Sequence, residues 1–316
     1  MFGRPFVKQQ FGLVAPAFVV AMVLTGLRYL DQNVAQAGLW LFMGMTLTTG
    51  FFHGALDIVL MQREFTKASR LAKALVLYVG SAMLLAIMCA HSGWFLVLVL
   101  LAMSVWHFGE PYGRWANGKW DRRAWVQRVI AGGAPVMLPA LLSTRALQAV
   151  LPMAVDVDAA WAFTIWQTLS WLWVGMCGLG LIVFRQRLFS KPLFAEVTFV
   201  IVINLLLSPL MAFSIYFGLF HATAHIVRVV GKYRQGAALD QGKGILHVLT
   251  RPTGLAIVIT SLATVILLLT LTWLMGAVPI SGGEHHGLLN GMLVGLTAVT
   301  LPHLILVSRN ALWLTN

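Results

Sequence analysis

His221 and His225 stand four residues apart, late in an apolar run from about residue 210 to residue 230. On a helix that spacing puts both imidazoles on one face, one turn above the other. Imidazole is costly in hydrocarbon, and an ionisable side chain within a membrane span marks a functional site by default. Two stacked imidazoles suit a shared metal ion, because neutral His nitrogens ligate Fe, Cu, Zn and Ni. The spacing alone is a weak signal and gains force only if other spans bring ligands to the same depth. His53, His107 and His303 each fall in another apolar run. His91, His247, His285 and His286 lie in loops or at span edges, where solvation is the ordinary outcome.

The elements that must carry these residues follow from composition. The chain is 59% hydrophobic and only 10% charged, too little charge for the surface of a water-soluble domain of 316 residues. An all-α polytopic membrane bundle of about ten helices is expected. Hydropathy places the spans near 11–30, 37–60, 71–90, 94–109, 126–142, 161–184, 193–207, 210–230, 254–275 and 288–308. Gly132, Gly133, Pro135 and Pro139 predict that the fifth is broken or partly interfacial. The net charge of +12 resides in short loops rather than in a nucleic-acid patch. With these spans every Lys and Arg except Arg28 and Arg145 falls on one side, which makes both termini cytoplasmic. Arg4, Lys8, an apolar run from Phe11 and Ala35-Gln36-Ala37 loosely imitate a secretory leader. The length of the run, with Arg28 and Asp31 after it, favours a retained first helix.

That topology sends the four His-bearing spans in the same direction. By a 1.5 Å rise per residue, the five imidazoles lie within roughly 3–14 Å of the cytoplasmic surface. They can therefore meet in one layer. Cys89 and Cys177 sit in apolar runs and imply no disulfide framework, so a thiolate zinc or iron–sulfur site is disfavoured. Uncompensated charge in a poor dielectric calls for nearby carboxylates. Asp57, four after His53, and Glu110, three after His107, are the two available. Direct ligation by Asp57 with His221 and His225 would instead give a two-His-one-carboxylate triad.

At these residues the chain resembles the bacteriorhodopsin-related-protein/Blh family of beta-carotene 15,15'-dioxygenases. The resemblance rests on His53-Gly54-Ala55-Leu56-Asp57, Trp106-His107-Phe108-Gly109, His221 to His225, and Leu301-Pro302-His303. It runs from about residue 45 to 308. It implies a non-haem Fe(II) enzyme that splits the central double bond of beta-carotene with O2 into two retinals. The implied iron ligands are His53, His107, His221 and His225, with Asp57 and His303 in supporting roles near the site; Glu110 joins them as a site candidate from its place three after His107 alone. Two positions depart from the family pattern: Tyr112 stands where an acid is usual, and Ala224 where a basic residue is usual.

Residues 1–36 then form an extra N-terminal span and residues 37–316 a single carotenoid dioxygenase-like domain. Implied partners are a carotenoid dissolved in the bilayer, O2, the lipid itself and a functional link to a retinal-binding rhodopsin. The implied place is the inner membrane of a bacterial or archaeal cell. Two rival readings use the same histidines: a haem-binding electron-transfer subunit, and a metal or proton transporter. The transporter predicts ligands near the midplane and an internal repeat, and no convincing repeat is present.

Overall fold

The computed structural model describes residues 20, 34–112, 115–116, 119–155, 159–184, 188–226 and 284–313. Nearly all of them are helical. The expected first and ninth spans lie outside the described residues, apart from residue 20.

A continuous helical run opens the described chain: α1 (Val34–Met45), a π-helical turn (Thr46–Gly50) and α2 (Phe51–Glu64). Then come α3 (Ala68–His91) and α4 (Gly93–Phe108), separated by Ser92 alone in extended conformation. A short antiparallel hairpin pairs Trp115–Ala116 with Lys119–Trp120. Next are α5 (Arg122–Leu142), α6 (Thr144–Val155), α7 (Ala159–Phe184) and α8 (Lys191–Leu206). After α9 (Pro209–Ser214) a second π-helix covers Ile215–Ala222, and α10 spans Glu284–Trp313. Proline at the start of α8 and α9 suits a position whose N–H has no helical partner.

Five helices among the described residues are long and apolar enough to cross a membrane: 37–62, α3, α5, α7 and the 289–308 part of α10. The shorter α4 is equally apolar. The outside of the bundle is hydrophobic, with Val76, Leu77 and Leu84 of α3 and Trp161, Trp171 and Ile182 of α7 exposed. That inversion is what lipid as solvent requires.

Two sequence expectations change. The Gly/Pro-rich α5 is unbroken and is the most buried of the spans. A side chain at Gly132 would overlap the Val105 carbonyl, and one at Gly109 the Arg128 carbonyl, so these glycines let α4 and α5 cross backbone to backbone. Trp166 and Trp173 of α7 donate their indole N–H groups to the α5 carbonyls of Val136 (2.6 Å) and Val129 (2.9 Å). The stretch after α5, expected as a connection, forms α6, whose Leu147, Leu151 and Val155 are buried. Its polar-interrupted sequence hid an amphipathic helix behind a low mean hydropathy.

The two π segments pack against each other. Gly50 faces the Phe217 ring, where a Cβ would come within 2.8 Å; Gly218 faces Met45 and Thr49, where it would come within 2.8–3.0 Å. The first π segment ends three residues before His53 and the second contains His221; π-helical turns are frequent at functional sites.

Candidate metal centre

The bundle brings His53 of α2, His107 of α4, His221 and His225 of the second π-helix and the turn after it, and His303 of α10 into one cluster. All five are buried, each 5% exposed or less. The His53 ring lies 4.2 Å from that of His225, 4.6 Å from His303 and 5.4 Å from both His107 and His221, centroid to centroid. His107 lies 4.7 Å from His221 and 4.9 Å from His303.

Nitrogen spacing says what this cluster can hold. Nε2 of His107 stands 3.3 Å from Nε2 of His53 and 3.1 Å from Nε2 of His221. Two nitrogens each about 2.1 Å from one ion are about 3.0 Å apart at a right angle and about 3.4 Å apart in a tetrahedron. The observed pair falls inside that window. A single imidazole nitrogen carries either a proton or a lone pair, so His107 Nε2 cannot both donate to one neighbour and accept from the other. A shared cation resolves the crowding. His53, His107 and His303 also each offer a ring nitrogen within 4.8 Å of the other two. A buried, all-nitrogen donor set of this kind could hold a metal ion of the imidazole-preferring class.

Asp57, one turn beyond His53 and 2% exposed, is held from two sides. Nδ1 of His303 lies 2.8 and 2.9 Å from its two carboxylate oxygens, and the Tyr78 hydroxyl of α3 donates to Oδ2 at 2.7 Å. Nε2 of His303 is buried with no hydrogen-bond partner among the described residues.

Polar residues behind the cluster fix its walls. Arg128, within the expected fifth span, is buried inside α5. It donates from Nε (3.1 Å) and Nη2 (2.9 Å) to the carbonyl of Trp106, and its guanidinium lies 3.8 Å over the Trp106 ring. It thus grips the residue just before His107. Glu110 follows in the turn after α4, half-buried, with its N–H on the His107 carbonyl (3.1 Å) and its carboxylate within electrostatic reach of Arg128. Glu196 of α8 is 2% exposed and accepts from the Tyr112 hydroxyl at 2.6 Å and the Tyr216 hydroxyl at 2.8 Å. Tyr216 precedes His221 by five residues, the spacing that a π-helix sets over itself, and their rings lie 6.2 Å apart at 28°. Phe108 meets His221 edge-on at 4.7 Å and joins Phe213 and Phe217, whose rings stack at 5.8 Å.

Tyr78, Arg128 and Glu196 escape a reading based on motifs, since none has a characteristic spacing from the histidines. The only sequence signal for Glu196 and Arg128 is a charge within or at the edge of an apolar run. Of the remaining histidines, His91 is exposed at the end of α3, with Nδ1 2.8 Å from the Ile87 carbonyl. His285 and His286 belong to the first turn of α10. His247 lies outside the described residues.

No curated protein and no solved structure matches the chain significantly. A family model does, over residues 43–310, a stretch that contains all five clustered histidines and Asp57. The chain belongs to the family described as beta-carotene 15,15'-dioxygenase.

Proposed function

We propose that this chain is a membrane-embedded non-haem iron dioxygenase that cleaves the central double bond of beta-carotene, or a related carotenoid, with O2 to give retinal. The carrying observation is the meeting of five buried imidazoles from four separate helical segments, in a chain of that family. In this reading His53, His107, His221 and His225 hold Fe(II), with Asp57, Glu110 and His303 in support. Bound ferrous iron would supply the oxygen chemistry, keeping a coordination position open for it.

The rest of the work belongs to the protein. A carotenoid dissolved in the bilayer reaches a buried site sideways, between helices, without passing through water. Phe108, Phe213 and Phe217 form an apolar wall beside His221 against which a rigid polyene can lie. Burial of the cluster keeps water away from the reacting bond. Alkene dioxygenation needs no acid–base pair, so the carboxylates are assigned supporting roles rather than proton transfer. The nitrogen spacing disfavours a haem subunit, because two imidazoles on opposite faces of one haem iron sit about 4 Å apart, nitrogen to nitrogen, with the porphyrin between them.

The test is expression in bacteria that accumulate beta-carotene, with loss of orange colour and retinal read by chromatography. Replacing His53, His107, His221 or His225 singly by Ala should remove most bound iron and abolish retinal. Retinal absent from iron-loaded, folded protein would defeat the substrate assignment. Iron loss from His91→Ala as large as from His107→Ala would defeat the ligand assignment.

A further inference from the structure

The family resemblance implies four ligands, and the fifth imidazole of the cluster has no part in that set. We propose that His303 is a direct metal ligand through Nε2, and that Asp57 and Tyr78 are positioning residues that aim it. The inference rests on the reading that this cluster holds a metal ion.

Three observations meet at His303. Its Nδ1 is engaged by both oxygens of the Asp57 carboxylate, at 2.8 and 2.9 Å. A carboxylate only accepts, so Nδ1 carries the proton and Nε2 keeps its lone pair. That is the tautomer a metal ligand needs, and a carboxylate behind a ligating imidazole is the usual way to fix it. Second, Nε2 is buried with no hydrogen-bond partner among the described residues, a costly arrangement unless a cation takes the lone pair. Third, the His303 ring lies within 4.6–5.4 Å of three of the other four, and its ring nitrogen joins those of His53 and His107 in one group.

Tyr78 completes the device. Its hydroxyl donates to Asp57 Oδ2 at 2.7 Å, from α3, the helix against which α10 packs most extensively. Without it the carboxylate could swing about its Cβ–Cγ bond and release Nδ1. His303 comes from 246 residues beyond Asp57 in the chain, so metal binding through it would tie α10 to α2.

The experiment uses the purified full chain in detergent, with Co(II) as the probe, because its visible bands report coordination number. His303→Gly should weaken cobalt binding at least ~100-fold and change the band pattern, and free imidazole should restore both. Asp57→Leu, which leaves Nδ1–H without an acceptor, should weaken binding about 10–100-fold. Asp57→Asn should cost less, since its amide oxygen can still accept. Tyr78→Phe should cost several-fold while leaving the fold intact by circular dichroism. A His303→Gly protein that binds cobalt with wild-type affinity and spectrum, while His107→Ala does not, overturns the proposal. Unaltered spectra across both Asp57 variants and Tyr78→Phe overturn the positioning roles. Failure of the wild-type chain to take up cobalt or iron would instead remove the metal reading itself, and this inference with it.

Discussion

A buried guanidinium is among the most expensive groups to place in a membrane bundle, and Arg128 shows what makes it tolerable. Two of its donors converge on one carbonyl and its plane covers an indole face, so its desolvated N–H groups are partly satisfied locally. The carbonyl it holds belongs to Trp106, next to His107, so its structural role and the placement of a candidate ligand are one interaction. Arg128→Met removes the fork and leaves the Trp106 carbonyl short of donors in a dry environment. The expected loss is about 1–3 kcal/mol of stability, together with weaker metal retention through His107. Arg128→Lys should fall between, because an ammonium keeps the charge but not the planar fork. Thermal unfolding in detergent and metal content per chain measure both. Unchanged metal content in Arg128→Met would separate this residue from the site.

Helices reach the site by close approach, and glycine decides where that is allowed. At the α4–α5 crossing Gly109 and Gly132 bring backbones into contact, with no room for a Cβ on either. Gly175 and Gly178 of α7, by contrast, face open space. Gly132→Ala should therefore push α4 away, displace His107 and lower both folded yield and metal content. Gly175→Ala should be neutral or slightly stabilising, because alanine is the better helix former. Metal analysis of the two purified variants distinguishes a packing requirement from a general intolerance of α-carbon substitution. The spacing of His221 and His225 assumes regular α-helix; the structure winds Ile215–Ala222 as a π-helix and returns to α-helix at residue 223, and both rings reach the cluster.

For the whole molecule, the charge distribution of the sequence predicts that both termini and nearly every basic residue lie on the cytoplasmic face. Reporter fusions test this: an alkaline phosphatase fused after residue 316 should be inactive and a fluorescent protein there should fold and glow. The reverse pair of results would invert the bundle and move the histidine layer to the outer leaflet. Depth matters for the substrate, since a cluster within one leaflet places the centre of a membrane-spanning polyene differently from one at the midplane.

Eight of the expected spans fall wholly or largely among described residues, and each coincides with helix, because long apolar runs in lipid have no other way to satisfy their backbone. The identity of the clustered histidines was legible for the same reason: imidazole stands out against hydrocarbon. Their mutual arrangement was not. Tyr78 on Asp57, Arg128 on Trp106 and two tyrosines on Glu196 join helices far apart in the chain, and no local pattern encodes such pairs. Nor does composition distinguish a glycine that breaks a helix from one that lets two helices touch; in α5 that was decided by the neighbour against which it packs.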